Sequence, residues 1–188
     1  MLSRDDLFAF LDRQGIATTT VEHPPLHTVE ESQALRGEIL GGHTKNLFLK
    51  DKKGTIFLVV AEETATIDLK TLHKTIGAQG RLSFASADQM RALLGVEPGS
   101  VTAFGLVNDS EHQVRLVLDA GLMRHDMVNC HPLTNGATTT IKRDDLMAFF
   151  AATGHTPAIV SLEATGEDLA GSGDGSGMTG ETSQRRDG

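Results

Sequence analysis

Short apolar runs separated by glycine, proline and acidic residues dominate the chain, and their spacing alternates between the periods of strands and helices. Two of these runs, residues 45–50 and 55–61, are joined by Asp51-Lys52-Lys53-Gly54, which is a typical hairpin loop. Their apolar residues are nearly continuous, and strands of this kind are covered on both faces. We therefore expect the two strands at the centre of a sheet.

Further helices and strands flank this pair. Ser3 followed by Asp5 and Asp6 predicts an N-terminal helix that ends at Gly15. Other helices are predicted over residues 28–36, 68–76, 86–95 and 143–152. Other strands are predicted over residues 16–22, 100–104, 113–118, 126–131, 138–142 and 158–162. Because the elements mix without regular βαβ alternation, the predicted fold class is α+β, with a mixed β-sheet surrounded by helices.

The pattern of apolar residues stops near Glu163. Residues 1–163 are predicted to form a single domain, and residues 164–188 a flexible, acidic tail rich in glycine and serine. The tail includes Gly171–Gly177, which follows no strand and opens no helix, so it is interpreted as a linker and not as a phosphate-binding loop.

Composition narrows the class of protein. Of 188 residues, 39% are hydrophobic and 22% charged, which is ordinary for a globular domain, and eight Phe without Trp or Tyr predict an aliphatic core. The single cysteine, Cys130, cannot form an intramolecular disulfide, which favours a reducing compartment. No apolar run is long enough to cross a bilayer, so we expect a cytoplasmic protein without a membrane partner.

The formal net charge of −8 argues against DNA binding. Six acidic residues and two arginines lie from Glu163 onward, so half of this charge is in the tail. The remaining body still has no overall basic character, and we expect no tight non-specific binding of RNA.

Lys45 is the first candidate for chemistry. At the start of an apolar strand it shares a face with Leu47 and Leu49, while Asn46 points the other way with Phe48. A lysine there is either a surface residue just outside the core or a cation at the rim of a pocket. In the second case it could hold a phosphate or a developing oxyanion.

His131 is the second candidate, since it ends a predicted strand just before Pro132. The His-Pro pair is either an ordinary turn or places an imidazole in a pocket to hold a water or a hydroxyl. A dyad with Cys130 is disfavoured because adjacent strand residues face opposite sides of the sheet. Cys130 is interpreted as a small core residue.

Other patterns predict no site. His23 and His27 have the spacing of a helical metal site, but the two prolines between them prevent the helix that would align them. Residues 37–45 are rich in glycine yet lack the Gly-Lys-Ser/Thr of a P-loop. The paired acids are explained by helix capping and solvation.

Taken in order, several segments resemble the ProX/YbaK family of aminoacyl-tRNA deacylases, which are free-standing relatives of the editing domain inserted in bacterial prolyl-tRNA synthetases. The resemblance covers roughly residues 3–163. It is carried by Thr44-Lys45-Asn46-Leu47-Phe48-Leu49-Lys50-Asp51, Asn129-Cys130-His131-Pro132-Leu133-Thr134-Asn135, His23-Pro24-Pro25 followed by Thr28, Gly99-Ser100-Val101-Thr102-Ala103-Phe104-Gly105-Leu106, and the closing helix followed by Ile159-Val160.

Family membership implies hydrolysis of the ester that joins an amino acid to the terminal adenosine of tRNA, with no metal, no cofactor and no covalent nucleophile. Lys45 and His131 match the family's catalytic positions. The implied substrate-binding residues are Asn46, Gly99, Ser100, Val101, Thr102 and Phe104, the last five in a loop whose backbone amides would approach the ester carbonyl. Ala103 departs from the family, whose members usually carry proline there.

The subfamily that the chain resembles removes alanine from tRNA(Pro). A synthetase pocket shaped for proline excludes a smaller apolar side chain by only about 1–3 kcal/mol per methylene, and a second, smaller site can destroy the alanyl ester. The implied partners are the acceptor end of tRNA(Pro) and prolyl-tRNA synthetase, with the protein a monomer or weak dimer. A preference for Cys- or Ser-tRNA(Pro), and a non-catalytic module that binds tRNA ends or the synthetase, stay open as alternatives.

Overall fold

A computed structural model describes residues 1–25, 34 and 39–163. The strands are β1 (Thr18–Glu22), β2 (Gly42–Lys50), β3 (Ile56–Glu62), β4 (Ser83–Phe84), β5 (Val114–Asp119), β6 (Met127–Cys130), β7 (Ala137–Lys142) and β8 (Ala158–Val160). The α-helices are α1 (Arg4–Arg13), α2 (Leu72–Thr75), α3 (Ala87–Gln89) and α4 (Arg143–Ala152). A π-helical turn, Met90–Leu94, continues α3, and 3-10 helices span Ala103–Asn108 and Leu122–Arg124.

The eight strands form one mixed sheet, as the sequence predicts. Their order is β1-β7-β6-β2-β3-β5-β8, and β4 pairs with β2. The pairs β6/β2, β3/β5 and β5/β8 are parallel and the others antiparallel. The predicted hairpin is confirmed as β2 and β3, and six of the seven residues of β3 are buried. The described part of the chain is one α+β domain.

Apolar side chains cover both faces of the sheet. The larger cluster, which packs under α1 and α4, includes Phe48, Phe104 and Phe149. The smaller cluster, on the opposite face, includes Leu49, Phe57 and Leu72. Phe48 and Leu49 are consecutive residues of β2 and lie in different clusters, so β2 separates the two cores.

The edge of β2 that faces β6 is only partly paired. β6 pairs with residues 42–43 of β2, and β4 pairs with residues 49–50. Within the described ranges, no strand pairs with this edge between those two points. The gap lies beside Lys45 and Asn46.

Several predicted elements differ from the structure. Residues 100–104 are not a strand, because Thr102 caps the 3-10 helix that begins at Ala103. The helix predicted from Asp68 is reduced to the four residues of α2, since Asp68 accepts hydrogen bonds from Lys70 N and the Thr71 hydroxyl in a turn before it. The helix predicted over residues 28–36 and the tail of residues 164–188 lie outside the described residues.

α1 and α4 are confirmed at the predicted positions. Ser3 and Asp6 form a reciprocal capping box at the start of α1, in which the Ser3 hydroxyl accepts from Asp6 N. α4 begins at Arg143, and the chain after it turns at Gly154, where φ is +77°. None of the helices in the described part of the chain is both long and apolar enough to span a membrane.

Candidate active site

The parallel pairing of β2 with β6 brings together the two segments that carry Lys45 and His131. Gly42 lies opposite Val128, and His43 lies opposite Asn129. Lys45 follows the last paired residue of β2 by two positions, and His131 follows the last paired residue of β6 by two, just after β6 ends at Cys130. The two residues that the family resemblance identifies as catalytic, 86 positions apart in the sequence, therefore both lie just beyond the paired part of these strands.

The Lys45 side chain is half-buried and anchored. Its Nζ donates a hydrogen bond to the carbonyl oxygen of Ala65, which is buried in the loop after β3. An ammonium group has three N–H donors, so two remain available for a ligand. The Lys45 ammonium is therefore held against the backbone of this loop and is not fully extended into solvent.

The environment of His131 favours a neutral imidazole. Burial lowers the pKa of His131, and this effect is opposed by its hydrogen bond to the carbonyl of Ala137. The Nδ1···O distance is 3.3 Å, and since a carbonyl can only accept, Nδ1 carries the proton. Nε2 is then an acceptor, and no partner for it lies within the described ranges. The ring can receive a hydrogen bond from a water or a hydroxyl group.

Other titratable side chains surround His131. Glu63 raises its pKa, whereas His23 and His43 lower it. His23 is fixed by two hydrogen bonds of 2.9 Å, from Nε2 to the Thr138 hydroxyl and from Nδ1 to the carbonyl of Pro24. These neighbours were not predicted as site residues, because nothing in the sequence shows that β1, β2 and β7 converge at this point.

Thr102 attaches the loop of residues 99–104 to His131. Its hydroxyl donates to the carbonyl oxygen of His131 at 2.6 Å and accepts from Phe104 N at 3.3 Å. Gly99 is exposed with φ +90°, and Ser100 is buried. The loop thus lies against the turn that carries the imidazole.

The Phe104 ring takes part in the core instead of lining the site. Phe104 is fully buried and packs edge-on against Phe149, with ring centroids 5.3 Å apart. Within the loop, Val101 is half-buried and Thr102 is fully buried. Only backbone groups of Phe104 remain as possible ligands for a substrate.

Asn46 lies at the gap in the sheet. Its side chain points to the face opposite Lys45, and its Oδ1 is buried without a hydrogen-bond partner. The carbonyl oxygen of Phe48 accepts a hydrogen bond from Ala85 N, on the edge of β2 that pairs with β4. Backbone groups two residues apart on a strand point to the same edge, so the N–H and C=O of Asn46 face the gap. No partner in the described part of the chain satisfies the Asn46 N–H. Buried polar groups normally have partners, so these groups are suited to bind a ligand.

Two glycines fix the start of β2. A Cβ at Gly41 would lie 2.7 Å from the carbonyl oxygen of Met127, and one at Gly42 would lie 2.6 Å from the His125 ring. The His125 ring is held in turn by a 2.8 Å contact between its Nε2 and Glu62 Oε1. The glycine-rich segment therefore permits close approach of β2 to the chain before β6, and this is what sets the register of Lys45.

The surroundings of Cys130 agree with its interpretation as a core residue. Burial raises the pKa of the Cys130 thiol to about 12, opposed by a hydrogen bond with Thr44, so the thiol is not a nucleophile at neutral pH. His27, which has the spacing of a helical metal site with His23, lies outside the described residues. Among the residues that the structure describes, no group of three His, Cys, Asp or Glu side chains could hold a metal ion.

Comparison with known proteins identifies the family. The profile of the "Aminoacyl-tRNA editing domain" matches residues 23–149. The chain belongs to the aminoacyl-tRNA editing domain family. It is 38% identical over 163 residues to the prolyl-tRNA editing protein ProX of Acetoanaerobium sticklandii, covering 86% of this chain and 99% of that protein.

Two further matches agree with this assignment. Prolyl-tRNA synthetase associated domain-containing protein 1 of Danio rerio is 41% identical over 162 residues, with 85% of this chain and 88% of that protein covered. A crystal structure of a proposed trans-editing enzyme for prolyl-tRNA synthetase superposes with a TM-score of 0.64 at 23% identity, covering 86% of this chain and 99% of that chain. At this low identity, the match to the crystal structure supports only the fold of the chain.

Proposed function

We propose that this editing-domain protein is a trans-acting hydrolase that cleaves the ester of mischarged tRNA(Pro), with alanine as the preferred amino acid. The observation that supports the proposal is the parallel pairing of β2 with β6, whose last pair, His43 and Asn129, lies two residues before Lys45 and two before His131. The alignment to a prolyl-tRNA editing protein along nearly its whole length supports the choice of tRNA.

The reaction needs a water positioned on the ester carbonyl and donors for the oxyanion that forms. An aminoacyl ester is reactive, so orientation and one or two such donors are sufficient help. Water adds to the carbonyl carbon, the C–O bond to the ribose breaks, and the ribose oxygen receives a proton. We assign the Nε2 of neutral His131 to accept a hydrogen bond from the water or from the free ribose hydroxyl.

Donors and charges for the substrate come from both sides of the gap in the sheet. The Lys45 ammonium, fixed on Ala65, directs its remaining N–H groups to the terminal phosphate or the oxyanion. The N–H of Asn46 and the backbone amides of residues 99–102 are the proposed ligands of the carbonyl oxygen. The buried Oδ1 of Asn46 is the proposed acceptor for the α-ammonium group of the amino acid.

The partners follow from the reaction. Neither a cofactor nor a metal is required, since the attacking water is activated by position and hydrogen bonding. The acceptor end of tRNA(Pro) is the substrate, prolyl-tRNA synthetase is the enzyme whose errors are corrected, and the cytoplasm is where both occur. We place the protein there as a monomer or weak dimer.

Release of labelled amino acid from Ala-, Ser-, Cys- and Pro-tRNA(Pro) tests the proposal, with Lys45→Met beside wild type. We expect rapid loss of alanine, Pro-tRNA(Pro) spared, and a reduction of at least about 100-fold in Lys45→Met, which is typical of the loss of an electrostatic catalytic group. Lys142→Met, at an exposed lysine ending β7, is the matched control and should retain full activity.

The other outcomes separate the alternatives. Faster release of serine or cysteine would keep the reaction and correct the substrate. Binding of tRNA without release of any amino acid would identify a non-catalytic module. A large fall in the unfolding temperature of Lys45→Met would show that Lys45 stabilises the fold, and its loss of activity would then say nothing about catalysis.

A further inference from the structure

A groove of about 860 Å³ lies away from Lys45, at the hairpin end of β2. Its walls are the β2–β3 loop, residues 69–70 and the chain leading into β4, and its principal side chains are those of Lys52, Leu69, Lys70, Arg81 and Phe84. The editing reaction as proposed above makes no use of it.

The cations of the groove are not neutralised by the protein. Lys52, Lys70 and Arg81 are exposed, and no ion pair among residues 1–25, 34 and 39–163 includes any of them. Outside the groove, Arg4, Arg91 and Arg143 each contact a carboxylate, whereas Arg13, Arg115 and Arg124 form no ion pair with a described residue. In a chain of net charge −8, the groove is a local region of unpaired positive charge.

The single acid in the groove does not offset this charge. Asp51 is buried, and its carboxylate accepts hydrogen bonds from Lys53 N, Thr55 N and Gln79 N, each 2.9 Å long. These bonds, above all that from Gln79, lower the pKa of the Asp51 carboxyl. Its charge is therefore committed to backbone N–H groups at the base of the groove.

The same bonds give the groove a fixed shape. Asp51 and Lys52 bind Gln79 from both sides, through Gln79 N and Gln79 O. Gly80 follows with φ +79°, and a Cβ there would lie 3.7 Å from the Lys52 Cβ and 3.8 Å from its Cδ, which is ordinary contact, so the Lys52 side chain lies over Gly80. The cation is thus presented by a preformed wall.

An aromatic ring accompanies the cations. Phe84 on β4 is 60% exposed, and the other seven phenylalanines are buried or half-buried. A cationic groove combined with an exposed aromatic ring is the arrangement by which proteins bind a nucleic-acid strand, because phosphates meet the cations and a base stacks on the ring.

A single loop connects the groove with the proposed active site. β2 separates the two by the five residue steps from Lys45 to Lys50, or about 17 Å. The loop whose Ala65 carbonyl anchors Lys45 continues into Leu69 and Lys70 of the groove wall. An RNA strand whose 3′ end lies at Lys45 would follow this loop to reach the groove.

We infer that this groove binds the phosphate backbone of the acceptor arm of the tRNA, several nucleotides from the aminoacylated end, with a base or ribose packed on Phe84. The inference rests on the proposed function, since it takes the aminoacyl ester to lie at Lys45. It gives an acidic protein a local means of holding RNA and of aligning its end with the site.

The test compares two substrates in one double variant, Lys70→Ala/Arg81→Ala. For Ala-tRNA(Pro) we expect KM to rise about tenfold or more at low salt and the slope of log kcat/KM against log salt to become shallower by about 2, because each of the two cations neutralises one phosphate. Hydrolysis of 3′-O-alanyl-adenosine, which has no phosphate, should keep its wild-type rate. Arg13→Ala/Lys142→Ala removes two exposed cations outside the groove and should match wild type on both substrates.

A second variant tests the ring. Phe84→Ala should raise KM for Ala-tRNA(Pro) about fivefold or more without changing the salt slope, because stacking is not ionic. Unaltered KM and salt slope in the double variant would overturn the inference. So would loss of binding to prolyl-tRNA synthetase with tRNA kinetics intact, which would assign the groove to a protein. If wild type hydrolyses neither substrate, the proposed function itself has failed.

Discussion

The hydroxyl of Thr102 donates a 2.6 Å hydrogen bond to the carbonyl oxygen of His131 and so ties the loop of residues 99–104 to the imidazole turn. The same oxygen of His131 accepts from Leu133 N at 3.0 Å, and the Thr102 hydroxyl accepts from Phe104 N. One buried side chain therefore joins the two segments that the proposed mechanism places on either side of the ester.

Thr102→Val is expected to loosen this junction. The substitution keeps the shape but leaves Phe104 N without its acceptor, at a cost of about 1–3 kcal/mol in the free energy of unfolding. The rate of deacylation should fall as well, since the loop amides lose their fixed distance from the ester. Urea unfolding and deacylation rates measure the two effects. Thr102→Ser keeps the hydroxyl and should recover most of both, and equal losses in the two variants would contradict the role of the hydrogen bond.

The pH dependence of activity should report His131. Because burial lowers its pKa, the imidazole is neutral at pH 7, and kcat/KM should be flat above about pH 6.5, the ordinary value, and fall only in more acidic solution. Stability should change in the same direction. Below about pH 6.5 the unfolded chain binds a proton that the folded chain excludes, so the free energy of unfolding decreases as the pH falls toward the folded pKa. His131→Gln should lack this acid-side loss, and an unchanged profile in that variant would assign the titration to another group.

Ala103→Pro should stabilise the protein by about 0.4–1 kcal/mol, because proline restricts the unfolded chain. Ala103 is the first residue of a 3-10 helix, and its N–H has no hydrogen-bond partner in the described part of the chain. Thr102 before it is extended, with φ −152° and ψ 153°, as a residue preceding proline must be. Thermal unfolding beside Ala103→Gly, which should shift the midpoint downward, is the measurement. A lower midpoint for the proline variant would mean that the buried surroundings of Ala103 do not accept the ring.

A buried pair far from the site should matter for stability alone. His155 Nε2 lies 3.1 Å from Asp109 Oδ2, with both side chains almost fully buried, and its Nδ1 contacts the Thr153 hydroxyl at 3.0 Å. His155→Ala should lower the free energy of unfolding by about 3 kcal/mol, since it removes one partner of a buried pair, while kcat on Ala-tRNA(Pro) is unchanged. His112→Ala, at an exposed ring packed on His155, is the control and should cost less than about 1 kcal/mol. A reduced kcat at full stability in His155→Ala would link this pair to catalysis.

The helices and strands that depend on residues close together in the sequence were predicted correctly. The capping box of Ser3 and the apolar runs around Gly54 are complete within a few residues, and α1 and the β2–β3 hairpin formed where expected. The strand predicted over residues 100–104 was wrong because the partner that decides the conformation of Thr102 is a carbonyl 29 residues further along the chain. The resemblance named Lys45 and His131, but only the pairing of β2 with β6 shows that both follow the same pair of residues, His43 and Asn129.

The groove was missed for a related reason. The total charge of −8 suggested a surface without attraction for RNA, and a sum over the chain conceals where unpaired cations gather. Lys52, Lys70 and Arg81 come from three separate segments, and they become one surface only when Asp51 binds Gln79. Sequence spacing carries no sign of that contact.

The inert thiol of Cys130 makes the natural chain a ready background for spectroscopic labelling. It is the sole cysteine, it is fully buried, and its high pKa keeps it protonated, so maleimide reagents will not modify it while the protein is folded. A cysteine introduced by Ser83→Cys, at an exposed position beside Phe84, would be the one reactive position. A fluorophore there would follow the arrival and departure of tRNA in real time while the Phe84 ring and Cys130 both stay in place.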